Sequence, residues 1–140
     1  MRAGVALVAS VSMAWSCTGI MLTGLDGSII RARTVEWGPF DLQIKINVVP
    51  REFTYNAGEM PDGQEGTNWT GRFGVVGASM LDHGAPADGI NGAGLTAGLF
   101  YLPGCTEYQE YVPDLADNSI PGDLLASYAL SPFETVKEAA

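Results

Sequence analysis

CTGIMLTGLDGSIIRARTVEW, residues 17–37, decides how the rest of the chain is read. Two apolar runs flank Asp26-Gly27, a dipeptide suited to a tight turn because both central positions of a hairpin loop favour positive φ. CTGIMLTGL and SIIRART are therefore predicted to pair as antiparallel strands. With a two-residue loop, Cys17 faces Glu36, and cross-strand Cβ atoms sit about 5 Å apart. Arg33 then faces Ile20 and points to the opposite side, so it needs a bulge or the end of regular pairing to reach the thiol.

Upstream, Arg2 and the apolar run AGVALVASVSMAW have the form of a secretory leader, with Ala14 and Ser16 as the small residues before a cut ahead of Cys17. The run is too short for a bilayer, which needs roughly 20 apolar residues. Residues 1–16 are expected to be a signal peptide and 17–140 the mature domain, placed in the periplasm or secreted. A buried N-terminal strand or helix is the structural alternative.

Downstream, DLQIKINVVP (41–50) alternates as a half-solvated strand. Residues 56–72, rich in Gly, Asn, Asp and Thr, are expected to be loop. GRFGVVGASM (71–80) reads as a strand, followed by a loop through His83, Gly84 and Pro86. Asn91-Gly92 signals another turn, leading into a strand from about Leu95 to Leu102. Gly104 to Asp117 has no clear period. A helix should begin near Pro121, and Ser131-Pro132-Phe133-Glu134 reads as a capping box opening a second one. That helix reaches Ala140 without a stop signal, so the chain is expected to be cut in mid-element. Strands first and helices last indicate α+β with antiparallel sheets.

The net charge is −9, from 7 Lys+Arg against 16 Asp+Glu. No basic cluster exists to neutralise phosphates or anionic lipids, so neither nucleic acid nor a membrane surface is an expected partner. Two cysteines and one histidine fall short of a structural zinc site, and no cofactor is implied. A Cys17–Cys105 disulfide stays open in an oxidising compartment.

A thiol on a newly exposed N-terminal residue carries its own base. The α-amine, with a pKa of about 8, is partly neutral near neutral pH and can take the thiol proton directly or through one water. No histidine is then required. A nearby guanidinium favours thiolate, and Glu36 could orient the ammonium that forms. The alternative is that Cys17 is half of a disulfide and that Arg33 and Glu36 are surface residues.

The quoted stretch, through Cys17, Thr18, Gly27, Arg33, Glu36 and Trp37, resembles the N-terminus of the choloylglycine hydrolase family. That family includes bile salt hydrolases and penicillin V acylases, which are N-terminal-nucleophile hydrolases. ADGINGAGLTAGLFYLPG (87–104) and VVPREFTY (48–55) resemble two further blocks of the family, in the same order. The resemblance implies the N-terminal part of an αββα sandwich with antiparallel sheets, full family domains being more than twice as long.

It also implies site roles. Cys17 would be nucleophile and, through its α-amine, base. Arg33 would sit by the thiol. Glu36 stands where the family usually has aspartate, and Trp37 where several members have a substrate-contacting tryptophan or, equally, a core one. Tyr101 aligns with an oxyanion-hole residue whose backbone N–H acts; tyrosine there is frequent in penicillin V acylases. Asn91 reads as a structural turn former, His83 as a loop residue and Cys105 as a bystander. GINGAGLTAG lacks the helix that a phosphate loop needs, and Asn68-Trp69-Thr70 fits a glycosylation sequon.

The implied activity is hydrolysis of linear amide C–N bonds in small N-acyl substrates such as penicillin V, conjugated bile salts or N-acyl homoserine lactones. Homo-oligomer formation stays open. Two other readings compete: a lipoprotein anchored through Cys17, although Ala14-Trp15-Ser16 departs from the usual recognition box, and an inactive truncated relic. Because the family's second oxyanion donor and a later arginine lie beyond this length, residues 17–140 alone are expected to be inactive. Amide hydrolysis assayed on the purified stretch should stay at background, and a measurable rate would overturn that expectation.

Overall fold

The computed structural model describes residues 17–36, 41–102 and 105–140. The expected leader and Trp37 lie outside the described residues. Among the described residues, eight short strands come first: β1 (Gly19–Thr23), β2 (Ile29–Arg33), β3 (Lys45–Val49), β4 (Thr54–Asn56), β5 (Asn68–Thr70), β6 (Val75–Ser79), β7 (Asp88–Asn91) and β8 (Thr96–Gly98). Two 3-10 turns (Pro113–Asn118 and Gly122–Leu124), α1 (Leu125–Leu130) and α2 (Val136–Ala139) follow. Every strand pair is antiparallel. This is the α+β arrangement with antiparallel sheets that the sequence pattern implied.

The main sheet runs β3-β6-β7-β8, while β1-β2 and β4-β5 form separate ribbons. In the main sheet Val49 faces Val75 and Val75 faces Asn91, so these three share one side. α1 packs against β7 and β8. Leu130, fully buried, joins Val49, Tyr55 and Val75 in one core cluster; Ala57, Met60, Ala116 and Leu124 form a second. On the opposite side Val48, Val76 and Ile90 line up across three strands and are exposed.

Asn91 fastens sheet to helix. Its Nδ2 donates to the carbonyls of Leu130 (2.8 Å) and Phe133 (2.7 Å), and its Oδ1 accepts from the N–H groups of Ala93 (3.0 Å) and Leu95 (2.9 Å). The amide's donors and acceptor are thereby satisfied in a buried position, which is what such a group requires. The turn-forming role expected for Asn91 holds, and the contacts to Leu130 and Phe133 extend it.

Three expectations are corrected. Residues 56–72 are not all loop, because β4 and β5 pair there, with the Tyr55 and Trp69 rings stacked at 4.9 Å and 4°. The strand expected to reach Leu102 ends at Gly98. The cap of the last helix is Thr135, which accepts from the Glu138 N–H, and not Ser131. Ser131 is instead buried at the C-terminal end of α1, where its hydroxyl accepts from the Trp69 indole N–H at 2.9 Å.

Replacing Asn91 with alanine strands the buried Leu130 carbonyl, the part-buried Phe133 carbonyl and two N–H groups. Asn91→Ala should lower unfolding free energy by about 3 kcal/mol, read as a reduced urea midpoint with little change in slope.

Candidate active site

The site is built from the β1-β2 hairpin outward. Its loop is longer by one residue than the two-residue expectation. The Gly27 N–H donates to the Gly24 carbonyl, the Gly24 N–H donates to the Ser28 carbonyl, and Gly27 has φ +83°. This is a three-residue loop with glycine in the left-handed position that a side chain would disfavour. The Asp26 carboxylate accepts from the Ser28 N–H at 3.0 Å and holds the loop.

One extra loop residue changes the register. Gly19 faces Arg33 and Met21 faces Arg31, where the two-residue reading set Arg33 against Ile20. Since side chains alternate, the shift puts Arg31 and Arg33 on the side of the hairpin that Cys17 occupies. No bulge is needed. Pairing continues through the Thr34 N–H to the Thr18 carbonyl (2.8 Å), while Thr34 Oγ1 accepts from the Thr18 N–H (3.1 Å).

Glu36 is consequently not the residue opposite Cys17. Its carbonyl oxygen lies 4.0 Å from Cys17 Sγ, so the Glu36 backbone approaches the thiol, and the residue itself is exposed.

Arg33 is nearly buried, with its side chain 8% exposed. Nη1 donates to Asp88 Oδ2 at 3.2 Å, Nε donates to the Thr34 carbonyl at 3.1 Å, and the guanidinium lies 4.5 Å from the Phe100 ring centroid. Its Nη2 is buried with no hydrogen-bond partner among the described residues. Arg31 takes both oxygens of the same carboxylate, at 2.8 and 2.9 Å. Asp88 opens β7 and faces Gly98 of β8. A Cβ at Gly98 would lie 1.9 Å from Asp88 Oδ2, so the carboxylate occupies space that only glycine leaves.

Two opposed influences act on the Cys17 thiol. Partial burial is the largest and raises its pKa. Backbone hydrogen bonding from Glu36 and from Tyr101, together with the Arg33 guanidinium, outweighs it, and the net direction is downward. Favourable donors and an opposite charge stabilise thiolate. Cys17 and Cys105 are both free thiols.

Cys17 and Arg33 open onto a cleft of about 680 Å³. Val35, Met80, Leu81, Ala87, Leu99 and Phe100 give it mainly apolar walls, with Tyr101 among the lining residues. Leu81 and Asp82 are both left-handed (φ 53° and 60°), a conformation that costs energy for residues with side chains. The strained pair carries Leu81 and His83 onto the cleft wall, and Asp82 is held by Lys45. His83 Nε2 lies 3.2 Å from Asp123 Oδ2 in an exposed pair. Among the described residues, no three His, Cys, Asp or Glu side chains gather as metal ligands would.

The structure thus brings Cys17, Arg33, the Glu36 backbone and Tyr101 together. Residues 17–140 match the family of linear amide C–N hydrolases called the choloylglycine hydrolase family. The chain belongs to that family. Neither the curated proteins nor the solved structures contain a match to it. Membership makes a small-molecule amide the class of substrate to fit to the cleft.

Sequence reasoning missed Arg31, Asp88 and Phe100. Arg31 and Arg33 are two apart and must share a strand face, a signal that was legible. Asp88 stands in the second resembling block, but its pairing with the arginines was not readable, because only the tertiary fold brings β7 to the hairpin.

The lowered thiol pKa has a direct readout. Thiolate should persist to lower pH than in an unstructured cysteine peptide, so iodoacetamide should label Cys17 faster than such a peptide near neutral pH. Arg33→Gln should slow that labelling by roughly threefold or more at neutral pH, measured as the alkylation rate of the Cys17 peptide by mass spectrometry.

Proposed function

We propose that this chain is an exported N-terminal-nucleophile amidohydrolase in which Cys17, freed by removal of residues 1–16, attacks the amide carbonyl. The observation that carries the reading is the meeting of Cys17 with Arg33 and the Tyr101 backbone on the lining of a mainly apolar cleft. The family match begins at that cysteine.

The α-amine of Cys17 takes the thiol proton, directly or through water, and sulfur bonds to the carbonyl carbon. The Tyr101 backbone N–H receives the resulting oxyanion, a contribution for which a single donor is typically worth about 10²–10³ in rate. The C–N bond breaks and the amine leaves with the proton held by the ammonium. Water, losing its proton to the free α-amine, then attacks the thioester; the C–S bond breaks, the acid leaves, and the ammonium returns the proton to sulfur. Arg33 favours the thiolate, and Glu36 orients the ammonium.

The apolar walls suit an uncharged aryl or alkyl acyl group. Tyr101 tilts the preference toward the penicillin V acylase type over bile salt hydrolysis. In the full-length protein, penicillin V should therefore be hydrolysed in preference to glycocholate, and the reverse preference would overturn that assignment.

The intact mass of the exported chain, before and after alkylation, tests the nucleophile. The expected product starts at Cys17 and gains a label on its thiol, and Cys17→Ala abolishes hydrolysis by the full-length protein. An uncut leader, a lipid adduct or a Cys17–Cys105 bridge would leave no free N-terminal thiol and sink the proposal.

A further inference from the structure

One carboxylate here serves two guanidiniums, and it serves them unequally. Arg31 bonds both oxygens of Asp88 at 2.8 and 2.9 Å, whereas Arg33 has a single contact to one oxygen at 3.2 Å. Bidentate arginine–carboxylate pairs are the strong form of this interaction. The group carries a net charge of one positive unit, and the less engaged of its two cations is the one that lines the cleft with Cys17. Both arginine side chains and the carboxylate are largely shielded, at 21%, 8% and 18% exposure. Water therefore screens their mutual fields less than at an open surface.

We propose that Arg31 is a positioning residue for the thiol: by occupying both oxygens of Asp88, it keeps Arg33 from closing a full ion pair there and leaves the Arg33 charge directed to Cys17. Without Arg31, Asp88 would pair with Arg33 alone, and the positive unit beside the sulfur would be cancelled. Arg31 acts through Asp88 and Arg33; it is not among the residues lining the cleft. The other charged or titratable groups around Cys17 are Glu36 at the end of the hairpin, Tyr101, His83, Tyr108 and Asp123 on the cleft walls, and the α-amine once the leader is removed. None of these is altered by exchanging Arg31 or Asp88, so a charge-driven effect can be isolated.

The inference rests on Cys17 as the reacting group. Its test is separable from amide hydrolysis, because alkylation reads thiolate whether or not a substrate is cleaved. The experiment follows the rate at which iodoacetamide, an uncharged probe, labels the Cys17 peptide across pH, in the full-length protein and three variants.

Arg31→Gln should slow labelling by roughly threefold or more at neutral pH and move the profile upward. The double variant Arg31→Gln/Asp88→Asn should return to the wild-type rate or above, because the charge that captured Arg33 has also gone. Asp88→Asn alone should be at least as fast as wild type. Labelling of Arg31→Gln at the wild-type rate would overturn the proposal, and so would a double variant that stays slow, since a merely structural role predicts no rescue. Should Arg31→Gln fail to fold, the Asp88→Asn comparison decides: a rate below wild type would overturn the proposal.

Discussion

A carboxylate in a shielded position must be paired, and at Asp88 that requirement ties the hairpin to the main sheet. Desolvating an unpaired carboxylate costs several kcal/mol or shifts it to the neutral form. Asp88 avoids both through contacts with Arg31 and Arg33, and Gly98 on the neighbouring strand leaves the room it needs. Those contacts dock β2 over β7, and with β2 comes the segment that bears Cys17. The position of the thiol on the cleft thus rests on this tie, some seventy residues later in the chain, together with the Phe100 ring packed against Gly19 and Arg33.

Around that tie, the chemistry of the thiol is a balance of opposed influences. Burial alone would keep sulfur protonated, and an inert buried cysteine is the common result. The Glu36 and Tyr101 backbones and the Arg33 guanidinium reverse the direction. Glu36 and Arg33 belong to the hairpin itself, whereas Tyr101 follows β8, so the full set is assembled only when hairpin and sheet are docked. Arg33 is in turn steadied on its other side by the Phe100 ring, one residue from the Tyr101 backbone. The ring that steadies Arg33 and the backbone that reaches the thiol are therefore neighbouring positions on a single connecting segment.

The period-2 alternation of 41–50, the apolar run of 71–80 and the Asp26-Gly27 and Asn91-Gly92 turns were all legible, and the main sheet follows from them. β4 and β5 were not. Their Thr, Tyr and Trp suit strands, but each run is only three residues long and borders a stretch rich in Gly, Asn and Asp, so what marks the pair is the stacking of Tyr55 on Trp69 with Tyr128 edge-on behind. Ser131 misled for a similar reason. Its hydroxyl is an acceptable cap by type, but the Trp69 indole claims it. At the site, Cys17 and Arg33 were readable from their strand, and the resemblance pointed to Tyr101. Which face Arg33 would take was not readable, because Asp-Gly fits loops of two residues and of three.

The loop Leu25-Asp26-Gly27 lies at the end of the hairpin remote from the sulfur, yet it sets the thiol's surroundings by counting. A chain with one residue fewer there could keep both strands, the Gly turn and the apolar character of the ribbon. It would nonetheless carry its arginines on the wrong side. Fold and chemistry are thus separable by a single deletion far from any reacting atom. Descendants of this sequence are free to exchange residues in the loop so long as one stays left-handed, but they are not free to change its length without losing the arginine from the thiol.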